Sequence, residues 1–269
     1  MTTSGNQAEV KSVAPFLGDF NPISLEEMED VELLDRFDKK FVFRFEYFEK
    51  ALRRASVHYR VLQIGDHREF DYETLYYDTD VHRMYLDHHN RKLNRFKVRR
   101  REYLTTGIRF LEVKIKSNKG RTRKKRMETA NAHKAFTHQE AKFIHKHTGL
   151  NPDELEPKLA NKFRRITLVH RTEPERITID YNLNFRANGR GFSLPDVVIA
   201  EIKQDRSSGL ADMERIFRQL HILPMKFSKY CVGSAMLYKA LKYNRFKTKL
   251  LTLNKMCNDS SLASVFVRS

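Results

Sequence analysis

NRFKVRRREYLTTGIRFLEVKIKSNKGRTRKKRM, residues 94–127, is the stretch that decides the fold. In an extended strand, side chains at i and i+2 share a face. Over 94–103 this places Arg95, Lys97, Arg99 and Arg101 together. Over 108–117 it places Glu112, Lys114 and Lys116 opposite Leu111, Val113 and Ile115. Over 121–127 Lys124 and Arg126 fall together, and Asn118-Lys119-Gly120 reads as the turn between the last two strands. Each strand has one apolar face and one charged face, and the charge is mostly of one sign. Like charges directly opposite one another repel, so a solvated sheet face ordinarily mixes signs. The pattern therefore predicts basic faces converging on an anion, with apolar faces turned outward beneath helices.

The same habit recurs on either side. Arg36, Asp38, Lys40 and Val42 alternate with Phe37, Lys39, Phe41 and Phe43. Arg176, Thr178, Asp180 and Asn182 alternate with Ile177, Ile179, Tyr181 and Leu183, and 197–204 ends on Glu201 and Lys203. Further strands are expected over 59–63, 70–78 and 163–171. Helices are expected over 22–32, 45–58, 80–89, 209–220 and 228–243, with 137–148 and 153–159 helical or irregular. The expected fold is α+β: an antiparallel eight-stranded β-barrel, or tunnel, with a polar basic lumen and helices packed outside, closure removing the edges. Residues 1–20 read as a frayed segment, 21–244 as the domain and 245–269 as a basic tail.

Composition sets the limits. Of 269 residues, 51 are Lys or Arg and 34 Asp or Glu, a net charge of +17, and 40% are hydrophobic, enough for a core. Two cysteines, Cys231 and Cys257, exclude a disulfide scaffold and a four-cysteine zinc site and suit free thiols in a reducing compartment. No signal-peptide pattern opens the chain and no long apolar run occurs, so a cytoplasmic location is expected, with peripheral contact at the membrane left open through the basic tail. The charge asks for an anionic partner. An eight-stranded lumen admits a slender linear polyanion such as triphosphate or polyphosphate, but not duplex nucleic acid. The aromatic-basic signatures of RNA-recognition modules are absent, so no specific nucleic acid is expected. The isolated carboxylates Glu112, Asp180 and Glu201 suit Mg²⁺ or Mn²⁺, and otherwise neutralise neighbouring lysines. His88-His89 and His145-x-His147 lack a third zinc ligand at enzyme spacing and read as packing residues, as do Tyr76, Tyr77, Phe110 and Phe227.

Taken in order, Arg36-x-Asp38-x-Lys40, Lys97-x-Arg99-x-Arg101, Phe110-Leu111-Glu112-Val113-Lys114, the basic run from Lys119 to Arg126, Arg176-Ile177-Thr178-Ile179-Asp180, Ala200-Glu201-Ile202-Lys203 and Lys226-Phe227-Ser228-Lys229-Tyr230 resemble the triphosphate tunnel metalloenzymes. The likeness is to their VTC branch, the catalytic domain of the vacuolar transporter chaperone complex, in its stand-alone bacterial form. That resemblance implies a polyphosphate polymerase moving the ATP γ-phosphoryl onto phosphate or a growing chain, with Mn²⁺ or Mg²⁺. Carried over position by position, it makes Lys40, Arg99, Arg101, Lys114 and Lys229 catalytic. It assigns phosphate contacts to Lys124, Arg126, Arg165 (with Arg164 adjacent), Arg176, Lys226 and Ser228, and the metal to Glu201; the charged strand faces add Arg36, Lys97 and Lys203 as phosphate contacts and Glu112 as a second metal candidate. The implied partners are ATP and inorganic polyphosphate or phosphate, with a membrane partner protein and the oligomeric state left open. The rival readings are a tripolyphosphatase or nucleoside triphosphatase on the same fold, and a non-catalytic polyanion- or RNA-binding module.

Overall fold

The computed structural model describes residues 10–29, 36–118, 122–131, 135–205 and 209–257. Its strands are β1 (Asn21–Ile23), β2 (Arg36–Arg44), β3 (Tyr59–Leu62), β4 (Phe70–Thr79), β5 (Arg95–Tyr103), β6 (Arg109–Lys116), β7 (Thr122–Glu128), β8 (Leu155–His170), β9 (Glu175–Ala187), β10 (Arg190–Leu194) and β11 (Val197–Asp205). The helices are α1 (Ala14–Leu17), α2 (Leu25–Glu29), α3 (Glu46–Ala55), α4 (Arg83–His89), α5 (His138–Thr148), α6 (Asp212–Gln219), α7 (Lys229–Leu237) and α8 (Lys247–Met256).

Eight strands form one hydrogen-bonded path, β2-β11-β9-β8-β4-β5-β6-β7, antiparallel at every step. The path curls into a half-barrel. Lys40 on β2 stands within electrostatic reach of Lys114 on β6, although six steps of the path separate their strands. Among the described residues β7 does not pair with β2. The chain between α6 and α7 bridges the curl instead. Its Met225 N–H donates to Lys40 O at 2.8 Å, and its Ser228 reaches Lys97 on β5.

The apolar strand faces point outward, as the alternation requires. Phe41 and Phe43 meet Phe217 of α6 at 4.8 and 5.2 Å, and Phe48, Ala51, Leu52 and Ala55 bury one stripe of α3 beside them. Each fully buried Phe contributes about 1.5–3 kcal/mol relative to exposure. Val98, Leu111 and Val113 form a second outer core under Ile144 of α5. A capping box between Thr137 and Glu140 starts α5, and Gly149 in the left-handed region ends it. Glu140 also takes Arg100, buried on this outer side, so neighbours along β5 serve opposite faces.

Strand β9 departs from simple alternation. Against β8 its register slips by one residue between the Lys162–Asn184 and Arg164–Tyr181 pairs, and Asn182 inside the slip has φ +52. This is a β-bulge, at a residue type that tolerates the left-handed region. The strict alternation expected over 176–186 therefore fails at 182. Tyr181 packs in the outer core, whereas Leu183 and Phe185 join the inner one. Asn182 turns outward and holds the N-terminal segment through Lys11 O at 2.6 Å.

Other expectations also change. Residues 153–159 are strand from Leu155 onward, because pairing with β4 overrides the local Pro-Asp-Glu turn signal. Of the segment expected to be frayed, the described part, 10–20, is packed: Val13, Leu17 and Phe20 are buried, and Glu69 accepts from Val13 N at 2.9 Å. Residues 1–9, 119–121 and 258–269, including the turn expected at Asn118-Lys119-Gly120, lie wholly or partly outside the described residues. The Asn188-Gly189 pair, with φ +49 and +71, makes a two-residue hairpin from β9 to β10. No helix among the described residues is long and apolar enough to cross a membrane.

Helix α7 is shorter than the expected 228–243 and lies on the concave side. It is buried along nearly its whole length, with Gly233 against Leu159 and Phe185. A Cβ at Gly233 would come within 2.7 Å of both side chains. Gly233→Ala should therefore lower stability by about 1–2 kcal/mol despite the better helix propensity of Ala. Urea unfolding of the two proteins measures this directly.

Candidate functional site

Pairing registers put the expected cations on the concave face in rows. Arg99 lies opposite Glu112, which lies opposite Arg126; Lys97 lies opposite Lys114, which lies opposite Lys124. Across the curl, Lys40 lies opposite Glu201, and Asp38 opposite Lys203. The β5–β6–β7 wall is thus almost entirely basic, while the β2–β11 wall alternates in sign like a checkerboard.

Arg164 and Arg165 are consecutive on β8, so strand alternation sends them to opposite faces. Arg165 faces inward and grips Asp180 through Nε and Nη2 at 2.5 and 2.9 Å. Arg164 faces outward and makes a bidentate pair with Asp71, 3.0 Å for each bond. Asp180 is also ion-paired with Lys229, the first residue of α7. Burial would raise the Asp180 pKa, but Arg165 and Lys229 outweigh it and hold the carboxylate charged. Beneath these cations lie Tyr72 and Phe163, stacked at 5.3 Å with an interplanar angle of 6°. Arg165, Arg101 and Lys229 stand 5.3, 5.9 and 4.2 Å from the Phe163 ring centre. Their ring faces stabilise positive charge where carboxylates are few.

Arg99 donates from Nε to Glu112 at 2.6 Å, and Lys124 stands 3.4 Å from the other oxygen of that carboxylate. Burial opposes the charge on Glu112, yet Arg99, Arg101 and Lys124 together hold its pKa well below the carboxylate range. Arg99 thus takes one oxygen of Glu112, while the other, Oε1, is buried, faces Lys124 and makes no hydrogen bond. Glu201 is only half-buried; it is paired with Lys40 and lies 3.8 Å from Lys203. Ser228 caps α7 by accepting from Cys231 N at 3.3 Å, and the same oxygen accepts from Lys97 Nζ at 2.8 Å. Arg176 sits at the margin, where Nη2 donates to Met28 O at 2.7 Å. Lys226 is exposed beside β2, and Arg126 is exposed with its guanidinium 4.8 Å from the Phe110 ring centre. Arg36 pairs with Asp205 by register, and its side chain lies outside the described residues.

Two residues gain significance only here. Tyr76, expected to be packing, faces the concave side opposite Arg99. Burial would raise its pKa, but Arg99, Arg101, Lys229 and Lys97 pull it below the ordinary tyrosine value. Asp38 is a second carboxylate on the strand next to Glu201, and its place in the alternation with Lys40 was the available signal. Elsewhere, ligand atoms of His58, His170 and Asp212 come within 4.8 Å of one another. His170 Nδ1 accepts the N–H groups of Thr172 and Glu173 at 3.2 and 3.0 Å, so its proton sits on Nε2, aimed at Asp212 at 3.0 Å. That proton occupies the lone pair a metal would need, and the cluster is a hydrogen-bond hub.

The family described as VTC domain matches residues 35–238. No curated protein matches the chain. Among solved structures it is similar to a candidate adenylate cyclase from Bacillus halodurans, at 12% identity over 72% of this chain and 94% of that one, TM-score 0.48. A candidate adenylate cyclase from Vibrio parahaemolyticus gives 15% identity over 74% and 98%, TM-score 0.42. A candidate adenylyl cyclase from Hippeastrum, described as having a dominant triphosphatase activity, gives 15% over 75% and 96%, TM-score 0.43.

Crowding of like charge leaves a measurable mark. Burial first, then Lys114, lowers Lys40 to about 7; burial first, then Lys97 and Arg99, lowers Lys114 to about 8. Both lysines bind protons more weakly folded than unfolded. Between pH about 7 and about 10 the unfolded chain therefore carries more protons, and stability of the empty protein should rise with pH across that window. A bound polyanion reverses the preference by favouring the charged amines, so tripolyphosphate binding should take up protons near pH 7.5. Calorimetry in buffers of different ionisation enthalpy reads that uptake, and Lys40→Met should reduce it.

Proposed function

The chain belongs to the VTC domain family, and from that premise we propose that it is a polyphosphate polymerase, moving the ATP γ-phosphoryl onto phosphate or a polyphosphate end and releasing ADP. The observation that carries the reading is the convergence of Lys40, Arg99, Arg101, Lys114, Arg165 and Lys229 from four strands and one helix start onto one concave face. A linear string of phosphates matches that surface in charge.

Phosphoryl transfer asks a protein mainly to position the phosphates and stabilise their charge. The acceptor oxygen is already anionic, so no protein nucleophile is required. Arg99 and Arg101 offer planar forks for phosphate oxygens, and the lysines offer point charges. The start of α7, with Ser228 as its cap, turns backbone N–H groups and the positive end of the helix toward the same space. Arg165 and Lys229, held by Asp180 and the Phe163 ring, are oriented before substrate arrives, so little ordering remains to be done on binding.

Glu201 fits a divalent cation by chemistry: a hard carboxylate donor, half-exposed on the concave face, with Asp38 on the adjacent strand. Mg²⁺ or Mn²⁺ held there would offset phosphate charge. Lys40, its present partner, is then available to a phosphate oxygen.

Purified protein incubated with ATP and Mn²⁺, with and without a short polyphosphate primer, should give a product ladder and matching ADP by gel and phosphorus NMR. ADP with free orthophosphate and no polymer would make the enzyme a hydrolase, and binding without turnover would make it a polyanion-binding module. Lys229→Ala should retain the fold by circular dichroism and lose about a hundredfold or more in turnover. Glu201→Gln should remove the response to Mn²⁺.

A further inference from the structure

The basic wall continues past the rows described above. Arg95 on β5 and Lys116 on β6 lie directly opposite one another, one step beyond Lys97 and Lys114 on the same face. With rows two residues apart, the wall from Arg101 to Arg95 runs about 20 Å along the strand. At its far end two other elements bring more positive charge. The turn that leads into α8 packs on α4 through Phe246, whose ring lies 5.3 Å from His89 and 6.2 Å from His88. Lys249 Nζ stands 5.8 Å from the centre of the same ring. Lys226 leads into α7 from the β2 side.

These groups share one field. Burial first, then Arg95 and Lys226, lowers the Lys116 pKa; burial lowers that of Lys249, with Lys226 and Arg91 adding to it. His88 joins them to the tunnel: burial first, then Lys97, Arg95, Lys249 and Lys116, push it down to about 2. The nearby carboxylate of Asp87 is paired with Lys92 at 3.4 Å. Like charges are thus gathered with little compensation where no fold requirement calls for them.

We propose that Arg91, Arg95, Lys116, Lys226 and Lys249 form a subsite for the distal phosphates of linear polyphosphate, continuing the tunnel face, with α8 as its outer wall. The subsite rests on the polyphosphate reading of the tunnel and extends it to chain length. Its shape favours a slender chain over a membrane: Arg95, Lys116 and Lys249 are half-buried and lead inward from the exposed Arg91 and Lys226, rather than all lying on one flat exposed face. It also disfavours single-stranded nucleic acid, because Phe246 is buried and offers no ring face for base stacking.

The test compares tripolyphosphate with long-chain polyphosphate as ligands of the full-length protein, by calorimetry at several salt concentrations. Wild type should bind the long chain more tightly and with the steeper salt dependence. Lys249→Glu combined with Arg91→Glu should weaken long-chain binding about tenfold more than tripolyphosphate binding. Lys249→Gln, a milder change, should show the same bias in smaller degree if the double variant folds poorly. Equal losses for the two ligands, or no loss, would overturn the subsite while leaving the tunnel reading intact. Failure of wild type to bind tripolyphosphate would sink the tunnel reading and the subsite together. Equally good displacement by a single-stranded oligonucleotide of matched charge would also overturn the proposal.

Discussion

Asp180 holds two cations from two different elements, and the concave face is built around that fact. Arg165 comes from β8, Lys229 from α7, and the carboxylate from β9. Without it, a helix start and an arginine would face each other with like charge over the Phe163 ring. The pair is buried, so its net contribution to stability is small; removing one partner is the costly event, about 3–5 kcal/mol, because it strands the other charge. Geometry is what the arrangement secures. Helix α7 is fixed at its first residue by charge and at Gly233 by close packing, and together these seat it on the concave face.

From that seat the other features follow. The chain leading into α7 runs beside β2, and its Ser228 meets Lys97 on β5, so one short segment touches both walls of the curl. The two walls differ in charge logic. On β2 and β11, opposite signs face each other across strands and satisfy one another. On β5, β6 and β7, Glu112 and, at the end of its row, Glu128 offset a larger column of cations, and burial together with the remaining repulsion depresses the lysine pKa values. An anionic ligand relieves precisely that imbalance, whereas the convex side, with Arg100 paired to Glu140 and Lys39 to Glu214, needs no ligand.

Much of this was legible beforehand, for a simple reason. A strand repeats every two residues, so the alternation at Arg95–Arg101, Glu112–Lys116 and Arg36–Val42 names the charged face with no knowledge of its neighbours. The ordered motifs from Arg36 to Tyr230 carried the family. Illegible were the places where alternation breaks. Asn182 flips the phase of β9 and brings Leu183 and Phe185 inward; the β8–β9 register sets Arg165 against Asp180, so Arg165 and not Arg164 enters the site. Residues 155–159 become strand because β4 pairs with them, against their local turn signals. Tyr76 could be read as aromatic packing until four cations were seen around it.

The sequence by itself determined the class of strand, the sign of the charge and which side of each strand bears it, because these depend on residue type and a fixed two-residue period. Only the tertiary structure decided which carboxylate serves which cation, that Glu112 is committed to Arg99 and Lys124 while Glu201 stays half-exposed, and that α8 stands at the end of the basic wall. Those outcomes depend on bulges, on the curl of the sheet and on the docking of helices distant in the chain. Each is a contact between segments whose spacing no local period records.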